Sequence, residues 1–177
     1  MKILEPANHI DHMLRQTRMH HVQLSAMADQ KANMLLTMAS LVVTLSIPQM
    51  LKPEFRWPLL VLIGFSLITV SLAVYAVMPK FSARGSKKTP PDVQNPNFDL
   101  LFFGDFTKLD YAAYEAAMEE MMNNPNRTYE VQVREIYALG TFLIRSKYRF
   151  LRLGYLFFLF GLFASLTTML VCMTLQH

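Results

Sequence analysis

Three long apolar runs constrain this chain more than any other feature. They extend from about Ala32 to Leu51, from Trp57 to Met78 and from Leu153 to Leu175. Each has the length of about 20 residues that an α-helix needs to cross the hydrocarbon core of a bilayer. Because 53% of the 177 residues are hydrophobic and only 17% are charged, a soluble fold would lack polar residues for its surface. The sequence therefore predicts an integral membrane protein and argues against a soluble enzyme.

The lysines and arginines predict how the spans are oriented. Basic residues are frequent before the first span and between residues 79 and 152, whereas the short turn between the first two spans holds only Lys52 and Arg56. Since cytoplasmic loops carry an excess of Lys and Arg, we expect the N-terminus and residues 79–152 in the cytoplasm and the C-terminus on the opposite side. This bias and anionic lipid headgroups account for the net charge of +4, so we expect no nucleic-acid partner.

Residue periodicity and proline placement predict an all-α fold. Residues 8–47 form one long helix in this interpretation, ended by Pro48, and a second long helix runs from about Thr128 to the end. A shorter helix is expected from an N-cap at Thr107 to about Asn123. The first long helix has an apolar seam with heptad-like spacing, made of Ile10, Leu14, Thr17, His21, Leu24, Ala28, Lys31 and Leu35.

Four segments follow from these elements. Residues 1–31 are the cytosolic part of the first long helix, and residues 32–78 form a transmembrane hairpin. Residues 79–152 contain a linker, read as a loop over 80–97, and a helical sensor module in the cytosol; residues 153–177 are the third transmembrane helix. The predicted fold class is an all-α membrane protein with three transmembrane helices, in which long helices extend into a cytosolic helical bundle.

Two faces of the predicted spans carry small or polar residues. On the first span they are Asn33, Thr37, Ser40 and Thr44. This stripe either packs, with hydroxyls bonding neighbouring helices or the preceding carbonyls, or lines a water-filled path in an oligomer. The third span has a face of Gly154, Gly161, Ser165, Thr168 and Cys172, which suits packing within the chain and self-association equally well.

Charged and aromatic residues near the spans are the candidates for ligand binding. Lys31, beside Asp29, lies on the first seam, and Lys147 lies on a seam of the last helix with Val133, Ile136, Gly140, Ile144 and Leu151. Such charges form an interhelical pair, of which Asp29–Lys147 is the favoured one, or face a phosphate together with Arg134 or Arg145. Aromatic residues beside arginines could stack a base. This set consists of Phe98, Phe102, Phe103, Phe106, Tyr129, Tyr137 and Tyr148.

No residue constellation points to catalysis or to a metal. The chain has no phosphate-cradling glycine loop and no nucleophile elbow, and its histidines, His9, His12, His20 and His21, lack metal-site spacing. We expect no catalytic residue, no metal and no cofactor apart from a ligand.

Short motifs in a fixed order relative to the spans resemble the Pycsar transmembrane effector family. They are Ala28-Asp29-Gln30-Lys31-Ala32-Asn33, Phe102-Phe103, Ile136-Tyr137-Ala138-Leu139-Gly140 and Lys147-Tyr148. The resemblance, from about residue 10 to 170, implies an anti-phage effector of the bacterial inner membrane. A companion cyclase would make cyclic CMP or cyclic UMP on infection, and this nucleotide would activate the protein to damage the membrane and abort the infection.

The resulting hypothesis is a ligand-gated effector that works without enzymatic activity as a homo-oligomer in the lipid bilayer. The nucleotide-binding residues predicted from charge and placement are Asp29, Lys31, Phe102, Phe103, Arg134, Tyr137, Arg145 and Lys147. One rival is a non-conducting membrane scaffold or anchor for a partner protein. The other is a membrane-bound enzyme, which would need an acid, base or metal constellation.

Overall fold

In a computed structural model of the chain, which describes residues 7–79, 95 and 98–175, helices make up nearly all of the structure. The described part contains no strand, so the predicted all-α class is confirmed. The helices are α1 (Asn8–Gln49), α2 (Arg56–Val77), α3 (Phe103–Phe106), α4 (Tyr111–Met122), α5 (Pro125–Phe142) and α6 (Arg149–Leu175). A 3-10 turn (Pro53–Phe55) precedes α2, and a π-helical segment (Leu143–Tyr148, the π segment) joins α5 to α6.

Three helical stretches are long and apolar enough to cross a membrane. They are Asn8–Gln49, Pro53–Val77 and Pro125–Leu175, which cover the three predicted spans apart from Met50, Leu51 and Met78. Most of the predicted loop over 80–97 lies outside the described residues. The predicted boundaries between cytosolic and membrane segments, after residues 31, 78 and 152, stay predictions.

The chain divides into two compact units. Unit 1 consists of Met1–Gln23 and Pro79–Phe142, and unit 2 of Leu24–Met78 and Leu143–His177. Helix α1 therefore contributes to both units. The helical stretch from Pro125 to Leu175 also contributes to both, and its change of unit coincides with the start of the π segment.

Within unit 2, α2 and α6 pack through aromatic pairs and interhelical hydrogen bonds. The ring centroids of Tyr75 and Phe150 are 4.5 Å apart in an edge-to-face arrangement. The Ser165 hydroxyl donates to the Pro58 carbonyl at 2.9 Å, so this part of the small-residue face packs within the chain. Helix α1 joins this core through a cluster of apolar side chains from three helices, namely Ala28, Ala32, Leu35, Ala73 and Leu151.

Gly161 marks the closest approach of α6 to α2. A Cβ at this position would lie 2.5 Å from the Phe65 Cβ atom, whereas one at Gly64 would have nothing within 4 Å. We expect Gly161→Ala to lower the free energy of unfolding by about 1–2 kcal/mol because the helices must separate. Gly64→Ala is the control and should be neutral or stabilising, since Ala is the better helix former. Thermal unfolding in detergent measures both, and equal stabilities would contradict this packing.

Within unit 1, the first part of α1 is held to α5 by polar contacts. The Tyr129 hydroxyl donates to an Asp11 carboxylate oxygen at 2.6 Å. This hydrogen bond is the main reason why the pKa of Tyr129 is raised. The Arg18 guanidinium pairs with Glu135 at 2.9 Å. A separate apolar cluster, centred on Leu100, Ala117 and Met121, joins the chain before α3 to α4 and α5.

The structure corrects the predicted start of the short helix. Asp110, not Thr107, is the N-cap of α4, and its carboxylate accepts a hydrogen bond from the Ala113 amide at 2.8 Å. The Thr107 hydroxyl instead donates to the Phe103 carbonyl at 2.6 Å, within the preceding turn α3. Thr107 is the C-cap of the one-turn helix α3, so it is not available to begin α4.

Three residues placed on the seams are wrong, and one of them, Val133, is 38% exposed on α5. Lys31 is exposed, and Ala32 is the buried neighbour that continues the series of Ala28 and Leu35. Ile144 is 69% exposed, while Leu143 is buried. A step of three from Gly140 reaches Leu143 and a step of four reaches Ile144; since both steps stay near one face of a helix, the sequence pattern alone did not decide between them.

Candidate functional site

The first candidate feature is the interhelical ion pair between Asp29 and Lys147. The Lys147 ammonium lies 2.6 and 2.7 Å from the two Asp29 carboxylate oxygens and donates to the Ser25 hydroxyl at 2.9 Å. Its side chain is only 14% exposed, against 42% for Asp29. The pair predicted from the two seams is therefore present. All three donor positions of the ammonium are used, which leaves Lys147 little capacity for a phosphate in this conformation.

The π segment positions Lys147 and its neighbour Tyr148 against α1. The Tyr148 hydroxyl donates to the carbonyl of Leu24, the residue before Ser25, at 3.2 Å. Segments with π-helical hydrogen bonding are rare, and they are frequent at functional sites. The polar contacts of Lys147 and Tyr148 thus join α1 to the beginning of α6 within unit 2.

The second feature is an open groove along α1, called here the α1 groove. Its polar wall consists of Asp29, Gln30, Asn33 and Thr37, and its apolar wall of Ala26, Met34, Met38 and Tyr155. It therefore contains two residues of the predicted polar stripe. The groove is open rather than enclosed.

The hydroxyls of the polar stripe bond carbonyls of their own helix. Thr37 donates to the Asn33 carbonyl and Thr44 to the Ser40 carbonyl, both at 2.9 Å. Asn33, Thr37 and Thr44 are nevertheless exposed, and Ser40 is half-buried. Bonding to the preceding carbonyl lowers the cost of a hydroxyl in lipid. The carboxamide of Asn33 in a membrane span would be stabilised by a hydrogen bond to a polar group on a neighbouring helix.

The third feature is a cavity in unit 1, called here the arginine cavity. Its charged lining is Arg127, Glu130 and Arg134 of α5, and its apolar lining is Phe98, Leu100, Met121 and Val131. Its volume is about 100 Å³, which is larger than the roughly 10–15 Å³ that one water needs. The cavity lies between the end of α4, the start of α5 and the segment before α3.

The turn between α4 and α5 explains how the chain builds this cavity. Only two residues separate the helices, and the Asn124 side chain accepts a hydrogen bond from the Arg127 amide at 3.3 Å. The Thr128 hydroxyl donates to the Met121 carbonyl at 2.7 Å and so ties α5 to the last turn of α4. Pro125 opens α5 at the position where its missing amide hydrogen costs nothing.

Electrostatics at the cavity are balanced. Arg134 pairs with Glu130 at 2.8 Å, and Arg127 is 4.0 Å from Glu120. Arg134 also acts on the half-buried Asp99, whose pKa is raised because burial outweighs the hydrogen bond from the Leu101 amide and the field of the arginine. Each guanidinium therefore has a carboxylate counter-charge near it.

The remaining predicted ligand residues are spread over both units. Phe102 and Phe103 are exposed, with ring centroids 4.8 Å apart, and Tyr137 is 75% exposed. Arg145 is exposed in the π segment, and Lys31 is exposed on α1, where its carbonyl accepts from Tyr155 at 3.3 Å. Within each unit the predicted set does not line one pocket: only Arg134 lines the arginine cavity, and only Asp29 lines the α1 groove. Their assignment to nucleotide binding stays a prediction.

Sequence reasoning missed Arg127 as a cavity residue. Phe98 was recognised only as one of several aromatic residues. The signal that could have found Arg127 is its spacing of seven from Arg134, which places both on one face of α5.

Burial of Glu135 makes the stability of the protein depend on pH. Desolvation raises its pKa above the ordinary 4.5, while Arg18 opposes the rise. A raised folded-state pKa means that the folded protein holds this proton more tightly, so stability falls as pH rises from about 4.5 through the folded-state pKa. Glu135→Gln should flatten this fall in the unfolding temperature, measured in detergent between roughly pH 4 and pH 7. An unchanged slope would contradict the assignment.

A comparison with known families decides what kind of protein this is. A family model described as the Pycsar effector protein domain matches residues 12–174. The chain belongs to the Pycsar effector family. No curated protein and no solved structure matches it. Membership makes this chain an anti-phage effector of the Pycsar system, and together with its three apolar helices it indicates a membrane location.

Proposed function

We propose that this Pycsar effector is activated by cyclic CMP or cyclic UMP and then disrupts the bacterial inner membrane, which aborts the phage infection. A companion cyclase would act on it only through this product. The observation that carries the proposal is that α1 and the Pro125–Leu175 stretch each contribute to both units. A ligand that changes the packing of α1 and α5 in unit 1 therefore acts on helices that continue as apolar spans of unit 2.

The resting protein must be inactive, since an open membrane path would kill uninfected cells. To convert a population that is 99% closed into one that is 99% open, the nucleotide must bind the open form about 10⁴-fold more tightly, or about 5.5 kcal/mol. The Asp29–Lys147 pair supports a closed form held by interhelical contacts, because its hydrogen bonds join the α1 and π segments of unit 2.

Membrane disruption is proposed to require several copies. Asn33 and Thr37 are exposed on a helix that is apolar enough to span a bilayer. Polar side chains in a membrane span generally face other helices or water, since contact with lipid is unfavourable. In an oligomer, the α1 grooves of neighbouring copies would face each other or a shared aqueous path. The N-terminus and residues 79–152 would lie in the cytoplasm and the C-terminus in the periplasm, as the basic residues indicate.

A non-conducting scaffold is the second candidate function. The favouring observation is that Thr37 and Thr44 bond carbonyls of α1, so neither hydroxyl needs water or another helix. Such a scaffold would also be non-enzymatic, in agreement with the family. It would recruit a partner protein and leave the membrane potential unchanged.

The test joins binding to a cellular readout. Calorimetry with the purified full chain should detect binding of cyclic CMP or cyclic UMP, and cells that express the chain with an active companion cyclase should lose membrane potential after infection. A cyclase inactivated by mutation is the control and should leave the potential intact. Absence of binding together with an intact potential would overturn the proposed function, whereas binding with an intact potential would favour the scaffold.

A further inference from the structure

The arginine cavity has the chemistry of an anion site. Arg127 and Arg134 are seven residues apart on α5, so they lie on one face, roughly 10 Å apart along the helix axis. Both line the same cavity, together with the aromatic ring of Phe98. Guanidinium groups bind phosphate through paired, charge-assisted hydrogen bonds. Two arginines and an aromatic residue around one cavity are a suitable set for a small phosphate ester with a ring.

The ion pairs that now occupy the arginines are easily exchanged. The Arg134 and Glu130 side chains are 38% and 42% exposed, and the Arg127–Glu120 separation is 4.0 Å. Exposed pairs of this kind contribute little to stability because water screens them. A phosphate that replaced Glu130 at Arg134 would gain a bidentate contact with the guanidinium.

The size of the cavity indicates how a ligand would lie. At about 100 Å³ it is smaller than the roughly 300–1,000 Å³ of most small-molecule sites. It accommodates the phosphate and part of the attached ring, provided that the Glu130 side chain moves outwards. Phe98 is half-buried at the wall, where its ring can stack on a base.

The α1 groove is the less suitable site for the same ligand. Its charged lining residue is a carboxylate, Asp29, and the ammonium group nearest to it, that of Lys147, is already bonded to that carboxylate. An anion entering the groove would meet a negative charge. The arginine cavity, in contrast, offers two cations on one helix face.

We infer that the arginine cavity binds a cyclic pyrimidine nucleotide, with its phosphate on Arg134 in place of Glu130, the carbonyl oxygen at position 2 of the pyrimidine facing Arg127, and the base against Phe98. This inference rests on the proposed function and adds the site to it. It also makes Glu130 a competitor of the ligand, since the carboxylate must leave Arg134 before the phosphate binds.

Substitution of the charged residues gives changes of opposite sign. With the purified full chain, we expect Arg134→Gln and Arg127→Gln each to raise the Kd for cyclic CMP or cyclic UMP at least tenfold, and Glu130→Gln to lower it. Arg15→Gln, an exposed arginine of α1 outside the cavity lining, is the matched control and should leave the Kd unchanged. A purely structural role of Glu130 would not tighten binding. Equal Kd values for all variants and the wild type would overturn the cavity site while leaving the proposed function intact.

A labelling experiment tests the site without removing an arginine. The only natural cysteine is Cys172, so Val131→Cys in a Cys172→Ser background places one thiol in the cavity lining. Either nucleotide should slow its reaction with a maleimide several-fold. Val133→Cys, two residues along α5 and 38% exposed, is the control and should react at the same rate with and without nucleotide. Equal rates at Val131→Cys, with binding seen by calorimetry, would overturn the cavity; no wild-type binding of either nucleotide would overturn the cavity and the proposed function together.

Discussion

Lys147→Met is expected to lower the free energy of unfolding by about 2–3 kcal/mol, since it leaves a partly buried carboxylate without its cation. The ammonium bonds both oxygens of Asp29 and the Ser25 hydroxyl, and its side chain is 14% exposed. Met has a similar length and keeps the apolar packing of the stem. Thermal or urea unfolding of the full chain in detergent measures the loss.

The matched control for Lys147→Met is Arg145→Met in the same π segment. Arg145 is exposed, so its replacement should change stability by no more than about 0.5 kcal/mol. The double variant Asp29→Asn with Lys147→Met should recover much of the loss, because removing both charges leaves no unpaired ion. If Lys147→Met is as stable as Arg145→Met, the pair does not hold the two helices of unit 2 together.

Replacing Asn33 with Leu and Thr37 with Val is expected to abolish membrane damage and leave stability unchanged. Both side chains are exposed on α1, and the Thr37 hydroxyl donates to the carbonyl of Asn33, four residues before it. An apolar α1 groove could contact lipid without a free-energy penalty. It could not line a water-filled path, and it could not form hydrogen bonds to a neighbouring copy. Membrane potential in cells with active cyclase is the readout.

Ser71→Ala on α2 is the control for the polar stripe. Its hydroxyl is exposed and donates to the Leu67 carbonyl at 2.9 Å, which reproduces the local bonding of Thr37 on another span. This variant should damage the membrane as the wild type does. Full membrane damage by the Asn33→Leu, Thr37→Val variant would show that the stripe is packing alone.

The sequence predicted those parts of the fold that depend on local signals. The spans follow from apolar runs of sufficient length, and α1 and α2 end within two residues of the predicted positions. Pro48 was expected to end α1, but it lies inside the last turn of this helix. The Asp29–Lys147 pair was predictable for a similar reason. Lys147 lies on an otherwise apolar seam and Asp29 lies beside one, and charges in such surroundings need partners.

Features that depend on tertiary packing or on irregular helix geometry were not predictable in this way. No periodic pattern in the sequence revealed the π segment. Ile144 was predicted to lie on the packed face of the last helix, and it is 69% exposed. The arginine cavity needs Phe98 and Met121 to meet α5 across the turn at Asn124, and no pattern along the chain encodes that contact. The predicted ligand residues were chosen by charge and by distance from the spans, which explains why only Arg134 lines that cavity.

Dye release from vesicles tests the central claim most directly. The purified chain would be reconstituted into vesicles of phosphatidylethanolamine and phosphatidylglycerol that contain a self-quenched dye. Cyclic CMP or cyclic UMP should release the dye within minutes, whereas linear CMP and UMP at the same concentration should not. Vesicles that stay intact with both cyclic nucleotides, although the same preparation binds one of them, would contradict membrane disruption by this effector.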